Sequence, residues 1–392
     1  MSFEKPYEGI RVVDLSQGVA GPYCAYLLAR HGAEVIKVEP LEGDWSRALG
    51  ARYGDHTAFS VAANLGKKSI AVDLKTDAGR AIVDRMIPGA DVFLEGFRPG
   101  VIDRLGFGYE RLRAVNPGLI YLSVSGFGQE GPLREKPAMD PILQAFTGFM
   151  SENKGPDGVP HRTPTIVVDM STALFSHQAV VAALYAKAKG APGRRIDSSL
   201  MQAAANLQAI RMMSAVRDGP FKNVAGPGGT YQCSDGRWLQ IAAVKNHEFA
   251  GVCRVIGREQ WIDDPRFKTT TDRYANAAVL GQEVTAILAT RPAAEWRDKF
   301  TAAGLQNEMV QSYDDFVAHP HTAATGLITW TEHPDGGAPW ATPNPAGTTR
   351  LVNGAPDAVA PALGQHTDEI LATLGYSPAE IGKLRDQGVV KG

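Results

Sequence analysis

The sequence has only three cysteines among 392 residues, Cys24, Cys233 and Cys253, widely spaced and odd in number. That excludes a disulfide framework and fits reduced thiols, so a cytoplasmic location is expected. Metal-ligand spacing is missing too. The nine histidines are scattered, and the closest pair, His319 and His321 around a proline, belongs to a loop. Charge is nearly balanced, with 40 basic against 42 acidic residues and a net charge of −2. No nucleic-acid or anionic-membrane partner is expected from such a balance. No unbroken apolar run of membrane-spanning length occurs, so no transmembrane segment is expected. The N-terminus, MSFEKPYEGIRVVDL, lacks a basic stretch followed by an apolar core and does not look like a signal peptide. Internal repeats and low-complexity tracts are also absent.

What remains is ordinary for a soluble globular protein: 44% hydrophobic and 21% charged residues, in a chain long enough for two domains. The first part alternates strand and helix signals. IRVVDLS (10–16) predicts a strand, and QGVAGP a turn with Pro22 placed to open a helix. YCAYLLARHG predicts a helix ending at Gly32, and AEVIKVEP (33–40) a second strand. This is a βαβ unit, and it implies a parallel sheet. The pattern continues through KSIAVDL, a helix near 77–87, DVFLEGF, a helix near 100–115, LIYLSVSGFG, a helix near 140–150, and TIVVD (165–169). The turn SQGVAGP does not have G-x-G-x-x-G spacing, so no dinucleotide site is expected.

From about Gly226 the texture changes to a Gly-rich hairpin pattern and then three helical stretches. The domain expectation is a large Rossmann-like domain from 1–200 and 340–392, and a small α+β domain over 226–325. Residues 201–225 and 326–339 are expected to be linkers. The C-terminus predicts two short helices, the second opened by Ser377, Pro378 and Glu380.

Four stretches carry candidate chemistry. TIVVD stops on Asp169 just before a small-residue helix pattern. Asp there is either a helix cap or a carboxylate presented at the carboxyl end of a strand, where ligands bind in open α/β sheets. LEGFRPGVIDRLGFGYERL places Arg98 and Arg104 around a Pro-Gly turn and a helix start. They make either an anion site or two solvated surface arginines. SVSGFGQEGPLREKPAMDPILQAFTGFM (123–150) follows a strand and is glycine-dense, as loops near ligands tend to be, or is a plain connection. GPGG (226–229) is a flexible donor loop or a hairpin entry.

The phrases GIRVVDLSQGVAGPYCAYLLARHGAEVIKVE, GDWSR, KKSIAVDLK, FLEGFRPGVIDRLGFGYERL, YLSVSGFGQEGP, TIVVDMSTALFS and LGQHTDEILATLGYSPAEI run nearly the whole length of the chain, in order. Together they resemble the class III CoA-transferases, the group that includes formyl-CoA transferase and the carnitine CoA-transferase. The resemblance implies an interlocked homodimer and a reaction that moves CoA from an acyl-CoA to a free carboxylic acid through a covalent aspartyl intermediate. No tightly bound cofactor, metal or membrane is implied; CoA and acyl-CoA are substrates. Asp169 matches the catalytic aspartate. Phe97, Arg98 and Arg104 match the CoA-binding segment, and Val72, Leu74 and Lys75 the stretch near the adenine. Gln17 opens Gln17-Gly18-Val19, which stands where formyl-CoA transferase carries His-Val-Gln. Asp140 matches an acid near the active site. The GPGG segment resembles, in shortened form, a mobile glycine loop.

Two alternatives stay open. The α-methylacyl-CoA racemases share the fold but use a His before the acid in the segment that reads PAMDPI here. This chain has Met139 at that place and no histidine between His56 and His161, and methionine cannot act as a base. A non-catalytic acyl-CoA-binding protein would keep the arginines but would not require Asp169. Met139 and Phe149 imply an acyl pocket more apolar than oxalate requires.

Overall fold

The structure, a computed structural model, describes residues 5–155, 157–219, 227–334 and 337–392. The chain divides into two compact units, residues 1–217 with 324–392 and residues 218–323.

The first unit is built on six parallel strands: β1 (Arg11–Asp14), β2 (Glu34–Glu39), β3 (Lys68–Val72), β4 (Val92–Glu95), β5 (Ile120–Ser125) and β6 (Arg195–Ser199). A short C-terminal strand, Val390–Lys391, pairs antiparallel with β3, and the sheet order is C-terminal strand, β3, β2, β1, β4, β5, β6. The winding direction therefore reverses between β1 and β4, the place where doubly wound sheets open a crevice beyond their strand ends. The helices of this unit include α1 (Ala20–Arg30), α2 (Ala58–Asn64), α3 (Asp77–Met86), α4 (Val101–Arg104) and α5 (Tyr109–Val115). After β5 come α6 (Asp140–Phe146), α7 (Phe149–Glu152) and α8 (Val167–Ala188), and after β6 comes α9 (Leu200–Leu207).

Alternate strand residues feed two cores. Val13, Phe93 and Tyr121 pack under Ile82 of α3 and under Ile370 and Leu384 of the C-terminal helices. Val12, Leu94 and Leu122 pack under Leu28 of α1 and Val180 of α8. Both faces being covered explains why the central strands read as nearly unbroken apolar runs. Local chemistry sets the helix starts. Thr76 caps α3 by accepting from the Gly79 N–H, and Ser377 forms a capping box with Glu380.

Three sequence expectations need correction. TIVVD is not a strand: Val167 begins α8, with Ile166 at the cap position. Val168 is fully buried in the α1/α8 core, and packing overrides the β-branched preference. The sixth parallel strand is β6, RIDSS, whose half-exposed alternation hides it from an apolar-run criterion. Finally, α8 is by length and composition apolar enough to cross a bilayer, which the sequence was expected not to offer; the criterion of an unbroken run had missed it because Asp169, His177 and Lys187 interrupt it. It packs against α1, α9, β5 and β6.

The second unit carries an antiparallel sheet of Gly229–Gln232, Trp238–Ala242 and Gln306–Met309. Helices Asn246–Val255, Ala277–Leu288 and Ala293–Ala302 enclose a core around Leu239, Phe249, Trp296 and Phe300. The expected linkers carry regular structure. Residues 201–218 are almost wholly helical, and Ile328–Thr331 pairs with Trp340–Pro343 in a hairpin. Residues 220–225 of the first linker, and Gly226 of the glycine segment, lie outside the described residues. Gly228 and Gly229 lead into the first strand of the second unit.

Candidate active site

A cavity of about 660 Å³ opens at the carboxyl ends of β1, β4 and β5. Four chain segments build its wall: Gln17 and Val19 from the turn after β1, Phe97 and Arg98 after β4, Arg134 and Lys136 to Met139 before α6, and Asp169 from the first turn of α8. Trp45 and Leu200 complete it.

The turn after β1 is held from below by buried charge. Lys67 Nζ donates to Asp14 Oδ2 at 2.9 Å, and both side chains are wholly inaccessible. Lys37 Nζ donates to Asp44 Oδ2 at 2.8 Å and also to the Ser16 carbonyl. Asp44 in turn accepts from the Gly18 N–H at 3.0 Å. Arg47 holds Glu39 at 2.7 Å. Gly18 sits at φ +82° beneath the Trp45 indole, and a Cβ there would stand 2.2 Å from a ring carbon. Only glycine fits, for both reasons. The turn therefore presents Gln17 from a fixed base.

Asp169 is the third residue of α8, not its cap. The cap acceptor comes from Asp140, whose Oδ2 receives the N–H groups of Val168 at 2.7 Å and Asp169 at 3.2 Å. Gln144 Nε2 donates to the other Asp140 oxygen at 2.5 Å, and Gln144 Oε1 accepts from the Thr163 N–H. Asp140 is 3% exposed and stands behind the cavity wall, so its side chain serves the helix start. The Asp169 carboxylate itself receives no hydrogen bond from the described residues. Burial, with the Asp140 charge adding to it, pushes its pKa up to about 7. The helix N-terminus does not keep it fully ionised at neutral pH, as its position alone would imply.

Other predicted residues separate. Gln17, Phe97, Arg98 and Asp169 meet around one cavity. Arg104 is exposed at the end of α4 and does not line it. Val72 is 1% exposed, packed in the core and paired with Val390, so its side chain offers a ligand no surface. Leu74 packs partly against the same core, and Lys75 is exposed just past β3, on the same sheet edge as the cavity. Of the two apolar residues expected in an acyl pocket, Met139 lines the cavity and Phe149 does not. The sequence reading passed over Trp45, Arg134 and Lys136, although the glycine-dense loop that carries the two cations was singled out. Lys136 Nζ lies 5.5 Å from the Phe127 ring centroid, which keeps a cation near the rim.

Glu95, at the end of β4, is 1% exposed. Its Oε2 accepts from the Phe97 N–H at 2.8 Å and its Oε1 from the Ser123 hydroxyl, which accepts from Gln129 Nε2 at 2.8 Å. Burial pushes its pKa up to about 7. It ties the segment carrying Phe97 to β5.

A wall of this kind offers an unpaired carboxylate, nearby cations and backbone from several strand ends. The family model for CoA-transferase family III matches residues 7–367. The chain belongs to this family. It is 37% identical to an acetyl-CoA:oxalate CoA-transferase of Acetobacter aceti, over 82% of this chain and 85% of that protein. It is 33% identical to the succinyl-CoA:glutarate CoA-transferase of Mus musculus, over 99% and 91%. Among solved structures, a CAIB/BAIF family protein from Brucella suis superposes with a TM-score of 0.82 at 30% identity, covering 95% of this chain and all of that one. The chain is accordingly a class III CoA-transferase, an enzyme acting on CoA thioesters.

Proposed function

We propose that this enzyme moves CoA from an acyl-CoA to a free carboxylic acid through covalent intermediates on Asp169. The observation that carries the reading is a carboxylate on a cavity wall with no hydrogen-bond partner among the described residues and a pKa near 7. An Asp169 oxygen attacks the thioester carbonyl, the C–S bond breaks, and CoA leaves as thiolate with a mixed anhydride left behind. The thiolate attacks the Asp169 carbonyl of that anhydride, releasing the first acid and forming an aspartyl-CoA thioester. The acceptor carboxylate repeats the sequence in reverse and Asp169 is regenerated; no net proton is needed. Partial burial favours this chemistry twice over. A poorly solvated carboxylate is the better nucleophile, and both intermediates hydrolyse if water is admitted.

Arg98, Arg134 and Lys136 supply positive charge for the phosphates of CoA, and Phe97 and Gln17 line the approach. Arg104, Leu74 and Lys75 extend that track along the same edge toward the adenine. Among the described residues no histidine lines the cavity, so the racemase reading finds no base there. The working form is a homodimer with interlocked subunits. Leu174, Phe175 and Tyr185 on α8, and Ile210, Met213 and Val216 on the following helical stretch, expose the large apolar side chains such an assembly would cover. Three buried free thiols fit a reducing, cytoplasmic setting.

Incubating the enzyme with an acyl-CoA and then with hydroxylamine or borohydride should label the peptide containing Asp169. Asp169→Ala should lower transfer roughly 10³-fold or more while CoA still binds. Near-normal transfer by that variant would sink the mechanism.

A further inference from the structure

A second hollow, of about 380 Å³, lies against the same pair of helix starts. Val19 lines both cavities. From there Val19, the residue before α1, and Tyr23 of α1 follow one another at a spacing of four, and Met170, the residue directly after Asp169, closes the adjoining side. Phe59 and Ala62 of α2 and Trp340 of the hairpin form the far wall. Among the described residues, no charged side chain lines this hollow. The first cavity, by contrast, carries three cations.

We infer that this hollow receives the acyl group of the thioester, and that the preferred donors carry an uncharged alkyl or aryl chain. The inference rests on the CoA-transfer reading and adds the substrate class to it. A thioester with its carbonyl at Asp169 has the cationic wall on the side of its CoA arm. Its acyl carbon chain, leaving the carbonyl past Val19, meets uncharged and mainly apolar or aromatic surface, with Thr342 the one aliphatic hydroxyl residue among the described lining. A second carboxylate on the acyl group would lose its hydration there with no cation to replace it. A hydrocarbon chain would bury apolar area without such a cost.

Transfer should be measured with acetyl-CoA, hexanoyl-CoA and succinyl-CoA as donors to one common acid. The full-length enzyme should prefer hexanoyl-CoA over succinyl-CoA by about tenfold or more in kcat/KM. Ala62→Phe should lower the hexanoyl-to-acetyl ratio by about tenfold. Phe59→Ala, which enlarges the hollow, should shift preference toward octanoyl-CoA and serves if Ala62→Phe does not fold. Direct titration of the inactive Asp169→Asn protein gives a readout besides turnover. Hexanoyl-CoA should bind about tenfold tighter than acetyl-CoA, and Ala62→Phe should erase the difference. Equal affinity for the two thioesters, a preference for succinyl-CoA, or ratios unmoved by either variant would overturn the inference. Failure of every thioester to donate CoA would instead overturn the transferase mechanism, and the titration would still decide the hollow.

Discussion

Asp14 and Asp169 are two carboxylates withdrawn from water in the same unit, and their surroundings are opposite. Burial alone would raise both. At Asp14, Lys67 and Lys37 reverse that effect and hold the acid below its ordinary range, helped by the Ser16 hydroxyl at 2.5 Å. At Asp169 no described side chain compensates, and a second carboxylate, Asp140, adds to the effect of burial. The first arrangement is what a scaffold needs, a charge whose partners are fixed. The second is what a nucleophile needs, a charge left available. Burial does not distinguish structure from function here; compensation does.

The largest effect expected from breaking this contrast comes from the scaffold side. Lys67→Met leaves Asp14 buried and short of its ion-pair partner, and should cost about 3–5 kcal/mol of unfolding free energy. Denaturant titration reads it directly. A loss under about 1 kcal/mol, the range of an exposed pair, would mean that the turn carrying Gln17 does not depend on that charge.

The opposite substitution on the opposite acid should stabilise. The folded pKa of Asp169 lies above its value near 3.8 in the unfolded chain. Its ionised form is therefore disfavoured by folding, and the penalty is complete above pH about 7 and absent below pH about 4. Asp169→Asn removes the penalty, so it should raise stability by on the order of 1–3 kcal/mol at pH 8 and hardly at all at pH 4. Equal stability at pH 8 would show that the acid is not strained by its site.

How much of this could be read from the sequence depends on whether the signal is local. VVDLS, VIKVE and VFLEG announced central strands because both faces of that sheet are covered. β6 did not, because RIDSS has a single apolar residue, Ile196, and lies at a sheet edge. Asp169 stood out as an acid at a seam, but its helix begins at Val167, three residues earlier than its β-branched run implied. The reason is a cap supplied by Asp140 from 29 positions away. The Asp14–Lys67 pair spans 53 positions and leaves no local pattern beyond an acid inside an apolar strand. Val72 matched a family motif that structure assigns to the core.

That cap offers a finer test. Activity should rise with pH through about 7 as Asp169 ionises, close to tenfold per pH unit below it. Asp140→Asn keeps one oxygen for the two N–H groups, which already share Oδ2, gives up the acceptor facing Gln144 Nε2, and removes the like charge. The acid limb of kcat/KM should then move to lower pH. A limb that stays in place would assign the titration to another group, of which Glu95 is the first candidate.

Glu95 gives the smallest effect and separates positioning from chemistry. Its two oxygens accept from the Phe97 N–H and the Ser123 hydroxyl. Ser123 already accepts from Gln129, so its proton points at Glu95. An amide at position 95 has one oxygen and so can satisfy only one of those donors. Glu95→Gln should therefore cost about 1–2 kcal/mol of local order. Because Phe97 and Arg98 line the wall proposed to take CoA, the loss should appear in KM for acyl-CoA, about five- to tenfold higher, with kcat within about twofold. Glu95 ionises in the same pH range as Asp169, so the variant should also flatten any change of KM above pH 7 while leaving the acid limb of kcat in place. A parallel fall in kcat with KM unchanged would place Glu95 among the groups that act on the reacting atoms, and the contrast between supported and available carboxylates would then have two members on its reactive side.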